Sequence, residues 1–188
     1  MPRVEIFNRE DVLEKAVKLF HNKGYNATSM QDLVDATGLN RSSIYNSFGS
    51  KMELYQQSLR AYKAQANKYV QKVLVHNSDP LETIRKIFAT SPDDKVNGCL
   101  LGNCTTEMAN QDIDIKNFLT NNLISMQDLF VELVASGQAS GSINGNKSAK
   151  DYAAYLFTAL QGIRVTGILL DEQKDFESIV DTMLSVLE

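Results

Sequence analysis

The segment TSMQDLVDATGLNRSSIYNSFGSK, Thr28 to Lys51, narrows the folds open to this chain more than any other stretch. Its punctuation permits two short helices and little else. Ser29 is a natural N-cap, and Asp32 follows three residues later, where a capping box places an acid. Leu33 and Val34 give that helix an apolar side. Gly38 tolerates the positive φ of a tight helix end, and Asn40 caps a second helix. In the second helix Ile44 and Phe48 are four apart, so both fall on one inward face. Arg41, Ser42, Ser43, Tyr45 and Asn46 are left to face outward. Gly49 and Ser50 end the helix before Lys51 opens another. Two short helices around a Gly-containing turn, the second carrying hydrogen-bonding side chains, have the form of a reader of the DNA major groove. The same polar residues also suit a plain solvated face.

A helix-turn-helix cannot bury its own apolar face alone and needs a brace. Residues 9–23, REDVLEKAVKLFHNK, supply one, with Val12, Leu13, Ala16, Val17, Leu19 and Phe20 at helical spacing. Asn8 is placed to cap it, Glu10 and Asp11 suit its first turn, and Gly24 ends it. After the motif a long helix is predicted over Lys51–Val75. Its polar face is basic, with Arg60, Lys63, Lys68 and Lys72. At ~1.5 Å per residue it is a rod of well over ~30 Å, able to join a reading head to a distant body. Pro80 suits the first turn of a helix over Leu81–Ala89. Residues 90–97 read as a polar loop. Further helices are predicted near Thr105–Asn110 and over Ile113–Ser136, Ser148–Leu170 and Asp175–Leu187, with residues 137–146 as the clearest loop. Ser148 and Asp151 form the pattern of a capping box. No strand pattern or repeat appears, so the chain reads as all-α with about nine helices.

Composition bounds the function. Net charge is −4 over 188 residues, which at first argues against nucleic acid. Its distribution says otherwise. Residues 1–72 hold 11 basic against 7 acidic side chains, whereas 73–188 hold 8 against 16. A mildly basic head on an acidic body fits a protein that meets phosphates at one end, although chance variation gives the same split. No apolar run approaches the ~20 residues of a membrane span, and MPRVEIFNRED lacks the apolar core of a signal peptide. With only two cysteines, a cytoplasmic setting is expected.

The pattern of Thr28, Gly38, Ile44, Tyr45, Phe48 and Lys51, preceded by Ala16, Phe20, Gly24 and Tyr25, resembles the N-terminal domain of the TetR family of transcriptional regulators. The resemblance covers roughly the first 55 residues without gaps. It implies a three-helix DNA-binding domain over residues 1–50 and a helical ligand-binding and dimerisation domain over 51–188. It implies that Thr28, Tyr45 and Lys51 touch the DNA backbone, leaving Arg41, Ser42, Ser43 and Asn46 for bases or backbone. It also implies a homodimer on a palindromic operator, released by a small-molecule inducer, with two helices of each subunit forming a four-helix interface. The small-residue helix and the apolar stripe of the last helix suit that role, through Leu156, Leu160, Phe176, Ile179, Val180 and Met183. The alternative is that both helices only close the monomer core.

An inducer pocket is expected between helices of the second domain. Tyr62, Tyr69, Phe88 and Leu100 are candidate lining residues, as are Cys104, Met108, Met126 and Phe130, though each is equally ordinary core. Glu107 is the one charge there that stands out, which favours an uncharged or largely apolar ligand. Cys99 and Cys104 are five apart, about 140° on a helix, which suits neither a disulfide nor a metal. They are buried apolar thiols or a sensor of oxidants or electrophiles. A segment of the form Gly98-Cys99-Leu100-Leu101-Gly102-Asn103 is familiar from one branch of TetR-like ligand domains, where it begins a helix lining the pocket. No P-loop, GxGxxG, HExxH or GxSxG occurs. Neither an enzyme nor a cofactor or metal is expected. A helical ligand-binding module without specific DNA binding is the remaining alternative.

Overall fold

The computed structural model describes residues 7–89 and 97–188. Among these residues there are nine α-helices and no strand: α1 Arg9–Lys23, α2 Met30–Thr37, α3 Arg41–Phe48, α4 Lys51–His76, α5 Pro80–Phe88, α6 Leu100–Met108, α7 Ile113–Ser140, α8 Ala149–Thr166 and α9 Gln173–Leu184. Short 3-10 turns follow α8 at Gly167–Leu169 and α9 at Ser185–Leu187.

The helix starts are set by their caps. Asn8 accepts from the backbone N–H groups of Glu10 and Asp11. Ser29 and Asp32 form a reciprocal capping box at α2, and Ser50 and Glu53 form another at α4. Asn40 accepts from Ser43 N–H. Each cap satisfies helix-end donors that otherwise have no partner, worth ~1 kcal/mol. Gly38 lies in the left-handed region at φ 75°, ψ 6°, turning the chain from α2 into α3.

The body departs from the sequence pattern at both ends of α6 and at the C-terminal ends of α7 and α8. α6 begins at Leu100 and ends at Met108, earlier than Thr105–Asn110, because Leu100, Leu101, Cys104 and Met108 all reach buried positions. α7 runs on through Gly137 to Ser140, so the first residues of the expected loop are helical. Gly137 is buried against Ile143, and the left-handed stop falls at Gly141. α8 stops at Thr166, short of Leu170. Of the expected polar loop, residues 90–96 lie outside the described residues, as do the first six residues.

Two apolar cores result. The first joins Val12, Ala16 and Phe20 of α1 to Leu33, Ile44 and Phe48, then crosses residue 51 to Leu54, Tyr55 and Leu59 of α4. It also takes in Leu100, Cys104 and Met108 of α6 and Ile115 of α7. The Tyr55 ring packs 4.9 Å from Phe20 and 5.0 Å from Tyr25. The second core gathers Ile84, Phe88, Phe130, Val134, Leu156, Leu160, Ile163, Phe176, Val180 and Leu184.

That second core corrects the expected dimer residues. Leu156, Leu160, Phe176 and Val180 are at most 6% exposed within the single subunit. Burying such a side chain stabilises the subunit by roughly 1.5–3 kcal/mol, so these four face inward. Ile179 and Met183 remain partly exposed at its edge. Phe88, Leu100, Cys104, Met108 and Phe130, expected to line a pocket, are likewise core side chains at 2% exposure or less.

Candidate functional site

The second helix of the turn motif is held rigidly from behind. Ile44 and Phe48 are buried. Arg9 of α1 donates to Ser47 O at 2.6 Å and lies 4.3 Å from the Phe48 ring centroid. Gln57 of α4 donates to Phe48 O at 3.0 Å. The last carbonyls of α3 are thus tied to both neighbouring helices, and the opposite face is free. Arg41, Ser42, Tyr45 and Asn46 are exposed there, and Ser43 is half-buried. Tyr45 is 50% exposed, unusual for a large aromatic side chain without a partner surface.

The other two residues of the expected DNA set are placed differently. Thr28 is buried at 1% exposure, and its hydroxyl donates to Gly24 O at 2.6 Å. It closes the α1–α2 connection and presents no side-chain surface in this conformation. Lys51 is half-buried. Its Nζ donates to Tyr25 O and Thr28 O, at 2.8 and 2.7 Å, and sits 4.2 Å from the Tyr25 ring centroid. Both residues therefore shape the loop beneath the exposed face of α3. Lys23 and Ser29 meet Asp32 on the same side and hold its carboxyl well below the usual carboxylate range.

Glu107 grips the same loop from the body. Its carboxylate accepts from Tyr25 N–H at 3.0 Å and from Asn26 N–H at 2.7 Å. The approach is close enough that a Cβ at Gly24 would lie 2.9 Å from Glu107 Oε2. The charge singled out in the sequence thus joins α6 to the α1–α2 connection.

A cavity of about 730 Å³ lies between α1, α4, α7 and α8. Of the expected lining residues it includes Tyr62, Tyr69 and Met126. Val17 and His21 come from α1, so the brace of the reading head forms one wall. Arg164 and Gln161 come from α8. His21 Nε2 lies 2.7 Å from Gly98 O, and a Cβ at Gly98 would come within 2.9 Å of Arg164 O. The chain entering α6 is thereby held between α1 and α8. Sequence reasoning missed Arg164, although it is the only charge between Tyr152 and Val165.

The two thiols have different surroundings. Cys99 lines the cavity, with Arg164 Nη1 3.8 Å from its Sγ. Cys104 is fully buried beside the Tyr55 hydroxyl, and burial pushes its thiol up to about 11. Among the described residues no group of three metal-ligating side chains comes together. No described helix is long and apolar enough to cross a membrane.

On the far side of the molecule, α8 exposes Tyr155, Thr158, Gly162 and Val165, and Leu169 continues the row. The spacing alternates three and four, so these residues make one continuous face. Leu169 is 77% exposed, and nothing lies within 4 Å of a Cβ built at Gly162.

A family model described as bacterial regulatory proteins of the tetR family matches residues 12–57. The HTH-type transcriptional repressor ComR of Escherichia coli (strain K12) is 30% identical over 172 residues, covering 87% of this chain and 81% of ComR. An uncharacterized HTH-type transcriptional regulator, YezE of Bacillus subtilis (strain 168), is 25% identical over the whole of both chains. Among solved structures, a cysteine mutant of the TetR family transcriptional regulator CifR, complexed with 26bp double-strand operator DNA, superposes with a TM-score of 0.84 at 21% identity, covering 99% of this chain and all of that one. The regulatory protein TetR from Rhodobacter sphaeroides gives 0.85 at 18% identity, over 95% and 98% of the two chains.

Proposed function

The chain belongs to the TetR family of DNA-binding transcriptional regulators, and from that premise we propose that it is a dimeric repressor released from a palindromic operator by a small molecule bound in the α1–α4–α7–α8 cavity. The observation that carries this reading is the wall that α1 contributes. Val17 and His21 line the cavity from the helix whose buried face packs on Leu33 and Ile44. An occupant of the cavity therefore presses directly on the reading head.

Arg41, Ser42, Tyr45 and Asn46 enter the major groove, with Ser43 beside them. Residues 1–50 act as the head, and 51–188 as a body sharing part of the head's core. Thr28 and Lys51 act from beneath, by setting the loop that presents α3. The dimer forms on the exposed row of α8, with Tyr155, Gly162, Val165 and Leu169 meeting their two-fold copies and Ile179 and Met183 at the margin. Such an isologous contact spaces two heads for successive grooves. Release requires that the ligand favour a head spacing the operator does not accept.

The test is a gel shift with DNA from beside the protein's own gene. Specific retardation is expected, and Arg41→Ala or Tyr45→Ala should abolish it without unfolding the chain, because both side chains are exposed. No specific complex, or unchanged affinity in both variants, refutes the reading.

One observation favours a second input. Cys99 lines the cavity 3.8 Å from the Arg164 guanidinium, so a reagent that enters the cavity meets its sulfur. A sensor of oxidants or electrophiles on this scaffold would act through Cys99 and leave Cys104 unmodified. Cys99→Ser would then abolish release by an electrophile such as N-ethylmaleimide, and release unchanged in that variant would exclude it.

A further inference from the structure

We propose that the cavity is built for an amphipathic organic anion, a carboxylate on an apolar body, with Arg164 as its charge partner. The inference rests on the ligand-responsive reading above and specifies the chemistry of that ligand.

Arg164 is the starting point. Its Nε is shielded from solvent and has no hydrogen-bond partner, and it is the one such buried side-chain atom among the described residues. Its Nη1 reaches only a thiol sulfur, at 3.8 Å. A guanidinium has five donors and no acceptor, and a planar fork that matches a carboxylate. Native proteins rarely leave such a group uncompensated beneath the surface.

The rest of the lining points the same way. Its charged side chains are Lys18, Lys63, Arg164 and one acid, Glu14. Glu14 pairs with Lys18 at 2.8 Å on the exposed rim, so it does not neutralise the inner end. Lys63 lies over the Phe118 ring, 5.5 Å from its centroid. Among the described lining residues the basic side chains outnumber the single acid, and no described acid of the lining pairs with Arg164. Val17, Val70, Ile87, Met126 and Leu160, with the Tyr62 ring, give the lining an apolar part, and amides such as Asn22 and Asn122 share it. Gln161, one turn before Arg164, offers an amide to a second carboxylate oxygen. The expectation of an uncharged ligand came from the lack of any outstanding charge other than Glu107; Glu107 is engaged with the head, and Arg164 supplies the charge that the sequence did not single out.

Isothermal titration of the full-length protein with decanoate, decanol and decyltrimethylammonium tests this, since the three share a chain and differ in head charge. Saturable binding of one decanoate per chain is expected, at least about tenfold tighter than decanol, the scale of one charge-assisted hydrogen bond. Decyltrimethylammonium should bind more weakly than either. Arg164→Met should lower decanoate affinity about tenfold and leave decanol unchanged, with Arg164→Lys between. Because the shielded Arg164 Nε has no hydrogen-bond partner, Arg164→Met should be at least as heat-stable as the parent. Gln161→Glu is the second variant: it adds a carboxylate one turn away and should exclude decanoate while sparing decanol. Equal affinity for decanoate and decanol, no saturable decanoate binding, or decanoate affinity unaffected by both variants overturns the inference. Operator binding, followed by fluorescence anisotropy, separates this from the parent reading. Decanoate bound through Arg164 without operator release upholds the anion site and refutes the release mechanism. An operator complex in a protein that does not bind decanoate refutes the anion site alone.

Discussion

Asp32 is one of several side chains whose role is set by immediate neighbours rather than by the fold at large. Its carboxylate is held ionised by Lys23 and by Ser29 at the start of α2. A group whose folded value lies below its unfolded one adds stability that is complete above about pH 4 and fades as pH falls through the lowered value. Asp32→Asn should therefore melt below the parent at neutral pH, and the gap should close in strong acid. A gap of constant size would contradict this. The thiols give a second prediction at this scale. Cys104 is raised to about 11 by burial and shielded by Tyr55, whereas Cys99 sits at the cavity wall next to a cation. Iodoacetamide should alkylate Cys99 first in the native protein, as read by peptide mass spectrometry, and equal rates would refute the distinction. The caps at Asn8, Ser29, Asn40 and Ser148 and the inward pair Ile44 and Phe48 were legible in the sequence, because capping and helical periodicity act within a few residues, whereas the Ser50–Glu53 box was read only as a helix break. Arg164 was not, because its meaning depends on having no partner, which only the surrounding helices reveal.

Among the elements, α6 holds the most consequential position. Its first turns meet the cavity at Cys99 and Leu101, and its last turn holds the head through Glu107. Glu107→Ala would leave the Tyr25 and Asn26 N–H groups without that partner, at a cost of about 1–2 kcal/mol in chemical denaturation. It should also weaken the effect of ligand on operator affinity more than either binding step alone. Unchanged coupling would show that α6 is not the link. Gly137 of α7 illustrates packing against propensity. Alanine is the better helix former by ~1 kcal/mol, yet a Cβ here would lie 2.5 Å from Ile143 Cδ1. Gly137→Ala should lower stability by roughly 1–3 kcal/mol, the scale of overpacking, and a stabilised variant would refute this. The misjudged ends of α6, α7 and α8 share one cause: tertiary contacts extended or cut helices whose local signals were weak.

At the scale of the molecule, α8 has two distinct faces. Leu156 and Leu160 face the subunit core, while Tyr155, Val165 and Leu169 are 40%, 48% and 77% exposed. Charging the outer row, as in Val165→Glu, should yield folded monomers in analytical ultracentrifugation, with operator affinity lost alongside. Leu156→Asp should instead prevent folding, since it buries an unpaired charge. A folded, dimeric Val165→Glu protein would move the interface elsewhere. The sequence showed that α8 and α9 are apolar and small-sided. It could not say whether those apolar faces meet the subunit's own core or a second copy, because helical spacing marks a face without naming what covers it.

The sequence by itself determined the class of this protein. Capping residues, the Gly38 turn and the Ile44/Phe48 spacing specify a helix-turn-helix through interactions spanning at most one helical turn, and that motif identifies a TetR-family regulator. Only the tertiary structure brought α1 and α8 together around one cavity. Arg164 and His21 stand 143 positions apart in the chain and share one cavity. Glu107 lies 82 positions from the Tyr25 amide that it binds. Lys51 and Thr28, expected at the DNA backbone, meet each other in the loop before α2, where Lys51 Nζ donates to Thr28 O across 23 positions. Contacts at such separations leave no periodicity along the chain, so the helix-turn-helix was written locally and the cavity emerges only when the helices pack.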